Sequence, residues 1–141
     1  MIKHVFRFAI IAYLVFLGAF VIVGLRTIRG FPPEALHYVE WYAQIPMDRA
    51  EAITNRLGIA SLIVSVISAI ALLFYYRPAR IGFFIAVLIS EFCDLFIKNP
   101  LLTTGTLSVL DSMASFFSGA IIALAYFSPI KDHFSRKRPS Q

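Results

Sequence analysis

The sequence predicts an all-α fold, an integral membrane four-helix bundle with a short interfacial amphipathic helix between its first two spans. Three observations predict it. Of the 141 residues, 59% are hydrophobic and 15% charged, and the mean hydropathy is +0.78. A soluble domain averages about half apolar and about a quarter charged, so this chain has too few polar side chains to coat a water-facing surface. The apolar excess gathers in four long runs instead of spreading along the chain, as a bilayer requires. None of these runs shows the period-two alternation with turn signals expected of a membrane barrel.

The whole chain, 1–141, reads as one transmembrane domain. Its first span covers 5–25, Val5 to Leu25, interrupted only by Arg7. At about 1.5 Å per residue such a run crosses a hydrocarbon core of about 30 Å. Lys3 and Arg7 resemble the basic start of a signal peptide. The apolar stretch is too long for one, no small-x-small cleavage pattern follows Val23, and Arg26 and Arg29 end the run. A retained helix is expected.

The second span covers 57–76 and is preceded by Asp48-Arg49-Ala50-Glu51, a capping-box pattern with Asp48 as the cap, so the helix should begin near Arg49. Tyr75, Tyr76 and Arg77 supply the aromatic and basic anchors of the far interface. A tight connection, Arg77-Pro78-Ala79-Arg80, leads into the third span, 81–96, and the fourth covers 107–127 before Ser128-Pro129. On one side fall Lys3, Arg7, Arg77, Arg80, Lys131, Arg136, Lys137 and Arg138; on the other fall Arg26, Arg29, Arg49, Arg56 and Lys98. The larger set marks the cytoplasmic side, so both termini are expected there, with 26–56 as the outer loop and 128–141 as a cytoplasmic tail. The basic tail is expected to meet anionic headgroups, each basic residue near the surface contributing about 1 kcal/mol.

The outer loop contains Phe31-Pro32-Pro33, a helix start, followed by an alternation of apolar and polar residues through Ile45. Tyr38, Trp41 and Tyr42 interleave with Glu34, His37, Glu40 and Gln44, as in a helix lying in the interface with its rings at headgroup level. This element reads either as an anchored connector or as a docking or lid element.

The acidic residues are the anomaly. Glu91 and Asp94 are three residues apart on the third span, and Lys98 follows at the next turn of the same face. Asp111 lies about one turn into the fourth span, which runs the opposite way, and Asn55 and Arg56 open the second. All six belong to one outer-leaflet layer. Two acids near a helix centre cost about 5–7 kcal/mol on the insertion scale, and about ten strongly apolar residues return only about 3–6 kcal/mol. The third span must therefore turn this face to other helices, water or the interface. Two readings follow: a structural ion-pair network, or a surplus carboxylate at Glu91 that carries a proton, takes a cation or receives a basic group from a partner.

Small residues recur on two spans. Gly58, Ser61, Ser65 and Ser68 share one face of the second, and Ser108, Asp111, Ser115, Gly119 and Ala123 one face of the fourth. Small faces let backbones approach, and packing holds membrane helices together, so these two spans are expected to touch. Serines lining a permeation path are the other use of such a stripe.

Several functions are excluded. The net charge of +5 and the pI near 9.7 come from basic flanks beside apolar runs, without the aromatic-basic platform of a nucleic-acid binder, so no nucleic-acid partner is expected. The single cysteine, Cys93, excludes an internal disulfide and a cysteine-cluster metal site. No histidine lies within a span, and the H-E-x-x-H, G-x-S-x-G and phosphate-loop patterns are missing. No cofactor, metal site or catalytic residue is expected.

The C-terminal third, Leu107-Ser-Val-Leu-Asp-Ser to Ser118-Gly-Ala-Ile-Ile-Ala-Leu-Ala-Tyr-Phe-Ser-Pro-Ile, resembles small four-span proteins of bacterial inner membranes. That resemblance implies a multi-pass protein of the cell membrane. The chain is also similar in size to the membrane glutathione-transferase-like family, but Leu-Gly-Ile follows Asn55-Arg56 where that family carries an acid. The functional expectation is a non-catalytic membrane protein, an accessory or scaffold subunit or a self-associating bundle. The alternative is a small transporter or channel with a proton- or cation-responsive carboxylate site in the outer leaflet.

Overall fold

A computed structural model describes residues 1–29, 33–44, 48–94, 105–131 and 134. The described elements are helical: α1 (Ile2–Arg29), α2 (Pro33–Ala43), α3 (Arg49–Leu73), α4 (Arg77–Asp94) and α5 (Gly105–Phe127). Three stretches, Ile2–Thr27 in α1, Arg49–Leu73 and Gly105–Phe127, are long and apolar enough to cross a membrane. The third expected span is not among them. Helix α4 carries Arg77, Arg80, Glu91 and Asp94 in 18 residues, and positions 95 and 96 lie outside the described residues.

Local chemistry sets the ends of α3. Asp48 has an extended backbone and its side chain accepts from Arg49 N at 2.7 Å, so the helix begins where the capping pattern put it. Its C-terminus comes earlier than the expected Tyr76. Tyr76 N donates to Ala71 O at 3.2 Å and Tyr75 N to Leu72 O at 3.0 Å, the paired bonds of a Schellman ending. That ending needs one left-handed residue, and Tyr75 supplies it with φ 56°. Glycine normally fills this position, because a side chain there costs about 1–2 kcal/mol. Here the ring repays the strain by packing on Phe6, centroids 6.1 Å apart, and on Phe134 at 5.6 Å. Pro78 then fits the first turn of α4, where a missing N–H costs nothing.

Helices α3 and α4 form one close antiparallel pair, α1 and α5 the other; α1 meets α3 and α4 meets α5 along narrower seams. In the first pair, a Cβ added to Gly82 would lie 3.0 Å from Ser68 Oγ, and one added to Gly58 would lie 3.8 Å from Cys93 Cβ. In the second, Phe16 stacks on Phe117 at 5.6 Å, and a Cβ on Gly24 would lie 3.8 Å from Leu107 Cδ2. The seams are closed by Tyr13, whose ring meets Phe83 edge-on at 5.4 Å, and by buried Phe6, Ile10, Leu72 and Ile121.

The expected contact between the second and fourth spans is not the one the fold makes. Ser65 and Ser68 are buried toward α1 and α4, while Ser115 and Gly119 are exposed, and a Cβ on Gly119 would meet nothing within 4 Å. The three-residue turn 74–76 forces α3 and α4 side by side. Helix α5 buries its other face, Leu107, Ala114, Ser118, Ile121 and Ala125, chiefly against α1.

Helix α2 is present as expected and opens at Pro33. Among the described residues it has no broad contact with the other helices. Trp41 is 58% exposed and His37 Nδ1 lies 4.0 Å from Glu40 Oε2. The side chains of Tyr38 and Tyr42 lie outside the described residues.

Candidate functional site

The two ends of the packed helices differ in charge. At one end lie the C-terminal part of α4 and the N-terminal parts of α3 and α5, with the predicted polar layer. The register set by Gly58 against Cys93 brings Arg56 level with the last turn of α4. Asn55, Arg56, Glu91 and Asp111 all stand exposed, and no ion pair joins them among the described residues. The side chain of Asp94 and the whole of Lys98 lie outside the described residues. The topology therefore brings Asn55, Arg56, Glu91 and Asp111 to one layer of the packed helices, without gathering their side chains into a cavity. Among the described residues, no group of three or more His, Cys, Asp or Glu is placed to hold a metal ion.

Two serines of α3, Ser61 and Ser65, are occupied within their own helix. Ser61 Oγ donates to Gly58 O and Ser65 Oγ to Leu62 O, each at 2.8 Å, and Ser118 on α5 does the same to Ser115 O. A hydroxyl has one proton, so at the 3.0 Å contact between Tyr13 and Ser65 the phenol must be the donor. This bond joins α1 to α3 inside the bundle. Its two partners should respond unequally. Tyr13→Phe leaves Ser65 bonded to Leu62 and should cost about 0.5–1.5 kcal/mol, whereas Ser65→Ala strands a buried phenol and should cost about 1–3 kcal/mol. Unfolding midpoints of the two variants in the same detergent check the order; a Tyr13→Phe loss equal to or larger than the Ser65→Ala loss would contradict the assignment.

A groove of about 300 Å³ runs between α3 and α4, lined by Leu57, Ser61, Val64, Gly82, Ala86 and Ile89 among others. Its floor is low because Gly82, Ala86 and Ser61 are small. With the Ser61 hydroxyl turned to its own helix, the groove offers shape and apolar surface rather than polar recognition.

The opposite end gathers the N-terminus of α1, the α3–α4 turn and the end of α5. Phe6, Tyr75 and Phe134 form a ring cluster there, with Phe6 and Phe134 edge-to-face at 6.1 Å. Arg7 lies over the Tyr75 ring at 5.8 Å. The Arg80 guanidinium lies over the Tyr126 ring at 4.4 Å and the Phe134 ring at 5.7 Å, and Nη1 donates to Ala125 O at 3.4 Å. Tyr126 returns its hydroxyl proton to Arg80 O at 3.2 Å, which clamps α4 to α5. Sequence reasoning counted Arg80 only as a topology signal. Equal depth of Arg80 and Tyr126 on antiparallel spans was the available clue to their stacking.

Comparison with protein-family models, curated proteins and solved structures found no match for this chain, so the functional reading rests on its own geometry.

Proposed function

We propose that the chain is an integral protein of a cell membrane, of the bacterial inner-membrane kind, that acts as a non-catalytic assembly element: a scaffold or accessory subunit that binds a second helix bundle through α5. Embedding in a bilayer is supported by how little of the long helices the fold hides. Of the most apolar windows of α1, α3 and α5, 22%, 28% and 22% are buried, and most of the remainder is apolar surface that water would not tolerate. In this reading α4 completes a four-span bundle and keeps its charged ends at the two interfaces. Lys3, Arg7, Arg77, Arg80 and Lys131 then lie on the cytoplasmic side with both termini.

One observation carries the assembly role. The stripe Ser108, Asp111, Ser112, Ser115, Gly119 and Ala123 faces outward on α5. Lipid gains nothing from small and polar residues, and a carboxylate on that face is costly there. Another helix gains a close approach on a small-xxx-small surface, and Ser115, Gly119 and Ala123 have that spacing. A second copy of the bundle is the simplest occupant.

The test uses a cysteine at Ser115 or Gly119 in a Cys93→Ala background, oxidised in native membranes. A crosslinked species should form at these positions and not at Ala125, which is buried inside the bundle. Gly119→Leu should weaken the association by at least about tenfold, a change of about 1.4 kcal/mol. A chain that stays monomeric and partnerless in native mass spectrometry from mild extraction would defeat the proposal. The transport alternative finds less support: Glu91 stands on the exposed surface and the described serine bonds are spent on backbone carbonyls.

A further inference from the structure

We infer that the basic end of the bundle holds a binding site for a phosphate-bearing anion, the headgroup of an anionic lipid, with Arg80 as its anchor. The inference rests on the bilayer reading above and adds a specific ligand to it.

Among the described residues, Arg80 is a tightly constrained cation. Its guanidinium is held over the rings of Tyr126 and Phe134, and its only hydrogen bond among the described residues is the long one from Nη1 to Ala125 O. The Nε atom is buried and, among the described residues, has no hydrogen-bond partner. A buried donor left unmade costs about 1–3 kcal/mol, more when the group is charged, so the arrangement favours any acceptor that can reach it. An arginine edge that offers Nε and Nη together matches the oxygens of a phosphate, which takes two parallel bonds from the fork.

The surroundings favour an anion. Arg77 is three residues earlier on α4 and shares a face with Arg80. Arg7 reaches the same ring cluster from α1, and Lys3 and Lys131 stand exposed nearby in the chain. Among the described residues, no acidic residue falls in the segments that meet at this end; Asp132 lies outside the described residues. The positive charge here is therefore not balanced by the described part of the protein. Phe134, 4% exposed, and Ile130, fully buried, hold the start of the tail against this end beside Arg80. Since Nε is covered, an incoming phosphate oxygen must displace part of what surrounds it to reach it.

The full-length protein in a zwitterionic detergent is titrated, in native mass spectrometry, with phosphatidylglycerol and separately with phosphatidylcholine of the same chains. Phosphatidylglycerol should bind about tenfold or more tightly than phosphatidylcholine, a preference of about 1.4 kcal/mol. Arg80→Gln should remove most of that preference, while Arg26→Gln, at the opposite end, should leave it intact. Where Arg80→Gln does not fold, Arg80→Lys serves instead: it keeps the charge, loses Nε, and should still bind several-fold more weakly. Inorganic phosphate at millimolar concentration separates the sources. Competition would assign the site to phosphate itself, and its lack would assign it to the lipid with its chains. Equal binding of the two lipids, or a preference that survives both Arg80 variants, overturns the site. Failure of the bilayer reading has a different signature, since the protein would not enter nanodiscs made of phosphatidylcholine alone.

Discussion

Replacing Phe83 with alanine should destabilise the bundle more than any other single truncation on α4. Phe83 is 1% exposed and its ring meets Tyr13 edge-on at 5.4 Å, so it joins α4 to α1 as well as filling the centre of the core. In a water-soluble protein such a change costs about 3–5 kcal/mol, from lost transfer energy and the cavity left behind. In a bilayer the separated helix is also in an apolar solvent, so most of the transfer part disappears and lost packing dominates. A loss of about 2–4 kcal/mol is the expected result, measured by unfolding in mixed micelles. On the proposed bilayer reading, helix α4 should feel it most, since its four charges make it the helix least able to stay in a membrane without partners. Phe84→Ala, on an exposed neighbouring position, should cost less. A Phe83→Ala loss below about 1 kcal/mol would mean that the contact of Phe83 with Tyr13 does not hold α4 to α1.

What the sequence made legible follows from which forces are local. The start of α3 at Arg49 could be read because a cap is set by residues that touch one another along the chain, Asp48 and the amide after it. The end at Leu73 could not, because a tyrosine in a left-handed ending is held by Phe6 and Phe134, far apart in sequence. The same division applies to the helix pairs. Small faces on α3 and α5 look alike in sequence, and nothing in their composition says which neighbour each will meet. The short turn 74–76 decides for α3, leaving the stripe on α5 outside. In the polar layer, depth was legible from register alone, whereas contact between Glu91, Asp111 and Arg56 depends on how the helices are rotated. Arg80 shows the converse. Counting it toward an orientation rule concealed its individual chemistry, which appears only once Tyr126 and Phe134 are placed around it.

The tightest of the described glycines gives the second large effect, at Gly82. A Cβ there would sit 3.0 Å from Ser68 Oγ, and Ser68 is itself buried, so α3 and α4 meet with little room for a side chain between them. Two terms of opposite sign act on Gly82→Ala. A glycine inside a helix is about 0.8–1 kcal/mol less favourable than alanine, which helps the variant. Crowding opposes it, but only one oxygen is in the way, and rotation of the Ser68 hydroxymethyl relieves much of the contact. The two should nearly cancel, and removing the oxygen with Ser68→Ala should improve Gly82→Ala by about 0.5–1 kcal/mol in a double-mutant cycle. Gly82→Leu has no such escape. Its side chain must part the helices or bend against the floor of the groove beside Ser61, and overpacking of this kind costs about 1–3 kcal/mol. The parting would also pull Phe83 from Tyr13, one residue further along, so the upper end of that range is expected, with Ser68→Ala giving no rescue. Unfolding midpoints of the four combinations decide it: a stable Gly82→Leu protein, or equal rescue of both variants by Ser68→Ala, would show that α3 and α4 do not pack in this register.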